Sequence, residues 1–181
     1  VEAYRDILAS NAEEFQRLAR MVSDMLYLAK TEHGLELPHR EQLSLATEVQ
    51  ALFDFYEAVA EEAEVGLTLE GEAMIVGDRL MLRRAIGNLL SNALRHAFKH
   101  SVVEVLIRRL PYAVELTVKN AGQPIAESDI PRLFDRFYRT QKSRPHPEHS
   151  GTGLGLSITR SLMLAHGGTI KVVSDKKNTS F

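Results

Sequence analysis

The hydrophobic pattern of the chain begins with one long amphipathic helix, predicted over residues 2–32. Apolar residues recur there at heptad spacing, which is typical of a helix that packs in a bundle or coiled coil. The two seam positions hold Leu8, Phe15, Val22 and Ala29, and Asn11, Leu18 and Met25. Packing of this helix on the chain's own globular part is the alternative that the pattern leaves open.

A helix stop separates this segment from the rest of the chain. Gly34 followed by Pro38 ends the helix and predicts an extended connection. The predicted organisation is therefore a helix over 1–33, a linker over 34–42 and a domain over 43–181.

Inside the domain the pattern changes repeatedly between helical and strand spacing. Helices are predicted over 44–63, 79–98, 130–138 and 153–166, and strands over 65–70, 74–77, 102–109, 113–119 and 169–174. Asp78 is the expected N-cap of the second of these helices. Residues 139–153 are polar and rich in Pro, Gly and His, and are predicted to be mobile. The mixture lacks strict strand–helix alternation, which favours an α+β layered sandwich.

Composition removes several classes of function. The chain has 181 residues and a formal net charge of −2, which argues against a general nucleic-acid-binding protein. The absence of Cys excludes disulfides, cysteine-ligated zinc and a cysteine nucleophile. No apolar run approaches the length of a membrane span, and no signal peptide is visible. Because the chain starts at Val1 and ends in strand-like sequence, we expect a piece of a longer protein.

A glycine-rich loop at 150–156 is the first candidate for ligand binding. It places Gly151, Gly153 and Gly155 at alternate positions directly before a predicted helix. Backbone N–H groups of such a loop, together with the helix dipole, suit a phosphate group. The loop lacks the terminal Lys-Ser/Thr of a P-loop, so on its own it does not identify the kind of phosphate site.

A polar stripe on the predicted helix 79–98 is the second candidate. Asn88 and Asn92 are four residues apart and share one face, which Arg95 and His96 continue. Amide oxygens can ligate a hard cation such as Mg²⁺, and the guanidinium of Arg suits polyphosphate oxygens. Polar decoration of a surface helix is the alternative for this helix taken alone.

Five segments in order resemble the nucleotide-binding motifs of the sensor histidine kinases of two-component signalling. They are an N box from Asn88 to His96, a first glycine box from Asn120 to Ile125, an F box from Arg132 to Arg139, a second glycine box at 150–156 and Thr179-Ser-Phe181. The resemblance extends from about residue 79 to Phe181. It implies the Bergerat ATP-binding fold, a two-layer sandwich whose mixed sheet carries three helices on one face.

The resemblance implies a role for each motif. Asn92 is expected to ligate Mg²⁺ with Asn88 as its companion, and both are expected to serve catalysis together with Arg95. Arg95 and His96 are expected to approach the nucleotide phosphates. The other expected nucleotide contacts are Asn120, Gly122, Ile125 and Thr179 around the adenine, Phe134, Phe137, Tyr138 and Arg139 in the F box, and Gly151, Thr152, Gly153, Leu154, Gly155 and Leu156 around the triphosphate.

Two residues depart from the pattern of this family. Asn120 stands where the family usually has Asp, so its hydrogen bond lacks charge assistance, a loss of up to about 1 kcal/mol. We therefore expect a modest affinity for ATP. Pro124 replaces a usual glycine and stiffens the loop. The motif variants around these positions and in the F box resemble the heavy-metal sensor kinases, either copper/silver or cadmium/zinc/cobalt.

The resemblance implies a protein-histidine kinase that transfers the ATP γ-phosphoryl group to a histidine outside this chain. None of the seven histidines stands in the family's His-Glu/Asp-x-x-x-Pro context. The predicted helix over 2–32 instead resembles the second helix of the dimerisation hairpin, so the phosphoacceptor helix is expected upstream of Val1. The chain alone is expected to bind ATP without autophosphorylation. Further implied partners are a cognate response regulator and a second copy in the full-length protein, and the implied location is the cytoplasmic side of a bacterial inner-membrane sensor.

Three other interpretations compete with a kinase. An ATPase of the gyrase, chaperone or mismatch-repair type would carry Glu where Asn88 stands, and Asn cannot act as a general base. A dimerisation module with a degenerate nucleotide pocket would show no Mg²⁺-dependent ATP binding. A metal site at His146 and His149 is disfavoured, because two histidines in a polar loop are more often solvated.

Overall fold

The computed structural model describes residues 11, 15, 18, 19, 21–26, 39–140 and 152–181. The chain divides into two compact units, Val1–Leu35 and Glu36–Phe181. The described residues of the first unit are helical, and the remainder of the helix predicted over 2–32 lies outside the described residues. Of the described seam residues of this helix, Phe15 is 71% exposed and Val22 is 56% exposed.

The second unit is a mixed α+β structure with a five-stranded sheet and a small two-stranded sheet. Its elements are β1 (Glu41–Ser44), α1 (Leu45–Ala63), β2 (Gly66–Glu70), β3 (Met74–Gly77), α2 (Arg79–His96), β4 (Val102–Arg109), β5 (Val114–Ala121), a 3₁₀ turn (Ile130–Arg132), α3 (Gly155–Ala165), β6 (Val173–Ser174) and β7 (Asn178–Ser180). The large sheet has the order β2-β4-β5-β7-β6, in which β2 and β4 are parallel and the other neighbours antiparallel. The small sheet pairs β1 with β3.

Capping side chains fix the starts of α1 and α2. Ser44 Oγ accepts a hydrogen bond from the Thr47 N–H at 3.3 Å, and an Asp78 carboxylate oxygen accepts from the Met81 N–H at 3.0 Å. Each cap satisfies a backbone donor that the first turn of a helix leaves without a partner. The predicted N-cap at Asp78 is confirmed, and α2 ends two residues before the predicted bound.

The hydrophobic core lies between the helices and one face of the large sheet. Alternate residues of β4 and β5 point to this face, and α1 and α2 cover it. Among the fully buried side chains are Val49, Leu90, Val103, Val105 and Val118. Burial of one such side chain stabilises the fold by about 1.5–3 kcal/mol. Ion pairs also connect the two helices, because the buried carboxylate of Glu48 in α1 is paired with both Arg79 and Arg83 of α2.

The structure corrects the predicted helix over 130–138. Only Ile130–Arg132 forms a helical turn, of the 3₁₀ type. Phe137 has a left-handed backbone with φ of 61°, and the Tyr138 hydroxyl turns back to Asp129. These tertiary contacts close a compact loop, which a continuous helix could not form.

Two strands that are consecutive in the chain do not pair with each other. β2 joins the large sheet beside β4, whereas β3 pairs with β1, so the two neighbouring strands are in different sheets. In the predicted strand 169–174 only Val173 and Ser174 pair, because their partner β7 is three residues long. The sequence analysis did not predict β1, and it anticipated β7 only as strand-like sequence at the end of the chain.

Candidate functional site

The polar stripe of α2 faces the first turn of α3. Asn88 Nδ2 donates hydrogen bonds to the Gly155 carbonyl at 3.0 Å and to Thr159 Oγ1 at 3.4 Å. Thr159 is fully buried and donates its own proton to the Gly155 carbonyl at 2.9 Å. The nitrogen side of the Asn88 amide is thus directed at α3, and its oxygen is the atom that can ligate a cation.

The last turns of α2 continue this stripe with one more amide and two basic side chains. Asn92 is half-buried, and Arg95 and His96 are exposed. Arg95 lies 3.5 Å from Ser91 Oγ, one turn earlier. The pKa of His96 is lowered, first because the protein partly desolvates its ring and second because the charge of Arg95 repels a proton. At pH 7 the stripe therefore presents amide oxygens, one guanidinium and one neutral imidazole.

Gly122 brings the end of α2 against the end of β5. A Cβ atom at Gly122 would lie 2.4 Å from the His96 carbonyl oxygen, so no larger residue fits without movement of the backbone. The Phe98 N–H donates to the Ala121 carbonyl at 2.9 Å next to it. The first glycine box and the N box are thus joined through their backbones, although they are 24 positions apart (96 to 120) in sequence.

The residues predicted around the adenine come together on three neighbouring strands. Asn120 of β5 pairs with Thr179 of β7, and these side chains are 3% and 5% exposed. Thr179 pairs on its other side with Ser174 of β6, and the two hydroxyl oxygens lie 2.9 Å apart. Ser174 Oγ also accepts a hydrogen bond from the Ile125 N–H at 3.0 Å. Ser174 thereby ties Ile125 to Thr179.

Sequence reasoning missed Ser174. Its type and position carry no charge or metal-ligand pattern, and it ends a predicted strand where a serine is unremarkable. The pairing of β6 with β7 would have identified it, since that pairing puts residue 174 opposite residue 179.

The F box packs against Gly153 of the glycine loop. Phe134 contacts the hydrophobic core, whereas Phe137 is 53% exposed. The Phe137 N–H donates to the Gly153 carbonyl at 3.0 Å. Gly153 has φ of 72°, and a Cβ atom there would lie 2.9 Å from the backbone of Phe137, so the contact needs a glycine.

Tyr138 closes the loop that precedes the polar segment. Its hydroxyl donates to Asp129 at 2.7 Å, and the guanidinium of Arg132 lies 4.4 Å from the centre of its ring. The hydrogen bond to Asp129 raises the pKa of Tyr138. The predicted nucleotide contacts of Tyr138, and of the half-buried Arg139 beside it, stay predictions.

The second glycine box leads into α3. Gly151, with the rest of 141–151, lies outside the described residues, as does most of the segment predicted to be mobile. Thr152 Oγ1 accepts from the Leu154 N–H at 3.3 Å, and Leu154 is fully buried. Leu156 packs against the core, while Gly155 begins α3. The N-terminal N–H groups of α3 therefore lie beside Asn88.

Within residues 39–140 and 152–181 no three His, Asp or Glu side chains are grouped so as to hold a metal ion. In the same part of the chain no helix has the length and apolar character needed to cross a bilayer.

The family profile described as histidine kinase-, DNA gyrase B- and HSP90-like ATPase matches residues 77–181, more than half of the chain. The chain belongs to this family. The matched region begins just before α2 and runs to the last residue, and so it contains every candidate site residue named above.

Individual relatives in this family extend the similarity to nearly the whole chain. The sensor histidine kinase CusS of Escherichia coli O6:H1 is 48% identical over 177 residues, which cover 97% of this chain and 37% of CusS. The probable sensor protein PcoS of Escherichia coli is 41% identical over 181 residues, covering 100% of this chain and 39% of PcoS. The chain thus spans somewhat more than a third of the length of the curated relatives it matches.

The fold has counterparts among solved structures. Full-length ShkA, solved in complex with AMPPNP, superposes with a TM-score of 0.83 at 21% sequence identity. The superposition covers 99% of this chain and 37% of ShkA. At this identity the likeness establishes the fold, which is that of the histidine kinase catalytic domains.

Proposed function

We propose that this chain is the ATP-binding catalytic part of a sensor histidine kinase, which transfers the γ-phosphoryl group of ATP to a histidine outside these residues. The observation that carries the proposal is the hydrogen bond from Asn88 to the Gly155 carbonyl, because it joins the N box to the second glycine box. Asn92 and Arg95 follow Asn88 on the same face of α2, so this face offers amide oxygens and a guanidinium beside the N-terminus of α3, a set that suits a polyphosphate with its cation. The identity with CusS supports the same conclusion.

The donor set fits Mg²⁺ better than a transition metal. Asn88 and Asn92 offer neutral oxygen ligands, and the described residues supply no His/Asp/Glu cluster. Such a site binds Mg²⁺ weakly alone but well when phosphate oxygens complete the coordination. When bound, Mg²⁺ neutralises charge on the phosphoryl group that is transferred. Arg95 orients the phosphates by charge-assisted hydrogen bonds, and the N-terminus of α3 stabilises them.

Hydrolysis of ATP is the second candidate activity, and the geometry argues against it. A general base at position 88 would have to accept a proton from water. The Asn88 amide has no basic atom, and its nitrogen already donates to Gly155 and Thr159. A water molecule beside Asn88 would therefore not be activated.

We infer the partners of the whole protein from its similarity to sensor histidine kinases. We assign a cognate response regulator as the final phosphoryl acceptor, and a second copy of the chain as the partner of the N-terminal helix. The exposed seam of that helix, with Phe15 and Val22, supports dimerisation. The motif variants around Asn120 and the F box, together with the similarity to CusS and PcoS, support a heavy-metal stimulus and an inner-membrane sensor.

Calorimetric titration with ATP tests the proposal. We expect the chain to bind ATP only when Mg²⁺ is present, and Asn92→Ala to weaken binding at least about tenfold, since a ligand worth about 1.4 kcal/mol or more is lost. Gln50→Ala is the matched control, because Gln50 lies on α1 and contacts Asp54 on the exposed surface. Absence of Mg²⁺-dependent binding to the unaltered chain would favour the dimerisation module instead. Unchanged affinity in Asn92→Ala would remove Asn92 as the Mg²⁺ ligand.

A further inference from the structure

Three polar side chains form a row across β5, β7 and β6 on the buried face of the large sheet. Asn120 is opposite Thr179, and Thr179 is opposite Ser174. Side chains of paired residues point to the same side of a sheet. The next residues along this face, Val118 and Phe181, belong to the hydrophobic core. Hydrogen-bonding groups on such a face need partners, and these partners determine which ligand atoms the row can contact.

Ser174 receives a hydrogen bond whose direction is fixed. A backbone N–H can only donate, so the Ile125 N–H at 3.0 Å occupies a lone pair of Ser174 Oγ. The hydroxyl proton of Ser174 then has Thr179 Oγ1, at 2.9 Å, as a near acceptor. If Ser174 donates to Thr179, the proton of the Thr179 hydroxyl is left for a ligand.

Asn120 supplies an acceptor whose orientation is also fixed. Its Nδ2 donates to the Ala121 carbonyl at 3.3 Å, and the same carbonyl accepts from the Phe98 N–H. A flipped amide would put Oδ1 against this carbonyl oxygen, and two acceptors repel each other. The oxygen of Asn120 is therefore the atom that the side chain can offer to a ligand.

We propose that Ser174 is a positioning residue for base recognition, in which it donates to Thr179 so that Thr179 donates to the base while Asn120 accepts from it. The proposal rests on the ATP binding proposed above. An acceptor next to a donor is complementary to the adenine edge, where the amino group donates and the neighbouring ring nitrogen accepts. Hypoxanthine presents the reverse pattern, an oxygen acceptor beside an N–H donor.

Affinities for Mg²⁺-ATP and Mg²⁺-ITP test this role, because the two nucleotides differ only at the base. The unaltered chain should prefer ATP. Ser174→Ala should lower the affinity for ATP about tenfold and the affinity for ITP much less, since the Thr179 hydroxyl loses its fixed direction. Ser174→Thr keeps the hydroxyl and should keep the preference. Ser180→Ala is the matched control on the same hairpin, because its neighbour position puts Ser180 on the opposite face of the sheet from Thr179, where Ser180 Oγ donates to the Val173 carbonyl at 3.5 Å.

The ratio of the two affinities separates base recognition from a purely structural role. If Ser174 only held the hairpin together, Ser174→Ala would lower the affinities for ATP and ITP equally or leave both affinities unchanged. The inference would then be wrong. A chain that binds neither nucleotide would overturn the proposed function as well. Binding of ATP by the unaltered chain with an unchanged ratio in Ser174→Ala would overturn the role of Ser174 alone.

Discussion

At the scale of single residues, backbone contact decides which side chains the site tolerates. A Cβ atom added at Gly122 would lie 2.4 Å from the His96 carbonyl oxygen and 2.9 Å from Asn120 Nδ2. Gly122→Ala would push the end of α2 away from β5, at a cost of about 1–3 kcal/mol of unfolding free energy. Nucleotide affinity should fall with it, because His96 and Asn120 both move. Chemical denaturation and ATP titration measure the two effects.

Gly87→Ala is the control for that substitution. Gly87 is inside the same helix, and the atom nearest to an added Cβ, Tyr56 Oη, is an ordinary 3.6 Å away. Alanine in a helix interior is favoured over glycine by about 0.5–1 kcal/mol, so this variant should be more stable than the unaltered chain. Equal stability of Gly122→Ala and the unaltered chain would show that the backbones of α2 and β5 adjust freely.

From the lowered pKa of His96 we predict that ATP binding depends on pH, if His96 approaches the nucleotide phosphates. In the free protein the ring resists protonation, so folding stability falls as pH drops below about 6.5. Phosphates beside His96 would raise its pKa, and the protein would take up a proton on binding. Affinity for Mg²⁺-ATP should therefore increase as pH falls from about 7.5 to 6, by several-fold.

His96→Gln isolates this contribution from protonation of the nucleotide itself. Calorimetry in buffers of different ionisation enthalpy should show proton uptake with the unaltered chain and less with His96→Gln. Identical proton uptake in the two proteins would place His96 away from the phosphates.

Site residues can be predicted from the sequence where they belong to a recognisable motif. They cannot be predicted where their position depends on which strands pair in the sheet. Asn88, Asn92 and Asn120 stand out because amides recur at defined spacing in an ordered set of motifs. Ser174 does not, since its contacts with Ile125 and Thr179 depend on a short hairpin whose register no local pattern specifies.

At the scale of elements, α1 and α2 were predictable because caps and apolar periodicity are local properties. Asp78 signals the start of α2 by its own side chain. The loop over 129–138 was not predictable, because its helical pattern is overridden by the hydrogen bond between Asp129 and Tyr138 and by the left-handed backbone of Phe137. The separation of β2 from β3 likewise depends on pairing with β4, far along the chain.

The junction between α2 and α3 yields a prediction at this scale. Asn88→Asp keeps an oxygen ligand but loses the donor to Gly155 and Thr159, and it places a carboxylate against a carbonyl. We expect a loss of about 1–3 kcal/mol in the unfolding free energy of the nucleotide-free chain. Asn92→Asp, one turn on, is the matched control and should cost less, because the described residues show no hydrogen bond from Asn92 to α3. Equal losses, measured by urea denaturation, would contradict the structural role of Asn88.

At the scale of the whole molecule, the candidate site lies entirely in the second unit, Glu36–Phe181, whereas phosphoryl transfer needs a histidine in a suitable context. None of the seven histidines has that context. Incubation of the chain with γ-labelled Mg²⁺-ATP should therefore give binding without acid-labile phosphohistidine. A chimera in which this chain replaces the matched 177 residues of CusS should become phosphorylated on histidine.

Substitutions in that chimera identify which activity the site supports. Asn92→Ala should strongly reduce phosphohistidine, because Mg²⁺-ATP is held at least about tenfold more weakly, and Gln50→Ala should leave it unchanged. A chimera that neither binds Mg²⁺-ATP nor forms phosphohistidine would favour the dimerisation module with a degenerate nucleotide pocket. Release of inorganic phosphate without phosphohistidine would favour an ATPase. A group other than Asn88 would then have to activate the water. Because a kinase leaves phosphohistidine, an ATPase leaves inorganic phosphate and a dimerisation module leaves neither, one labelling experiment distinguishes the three.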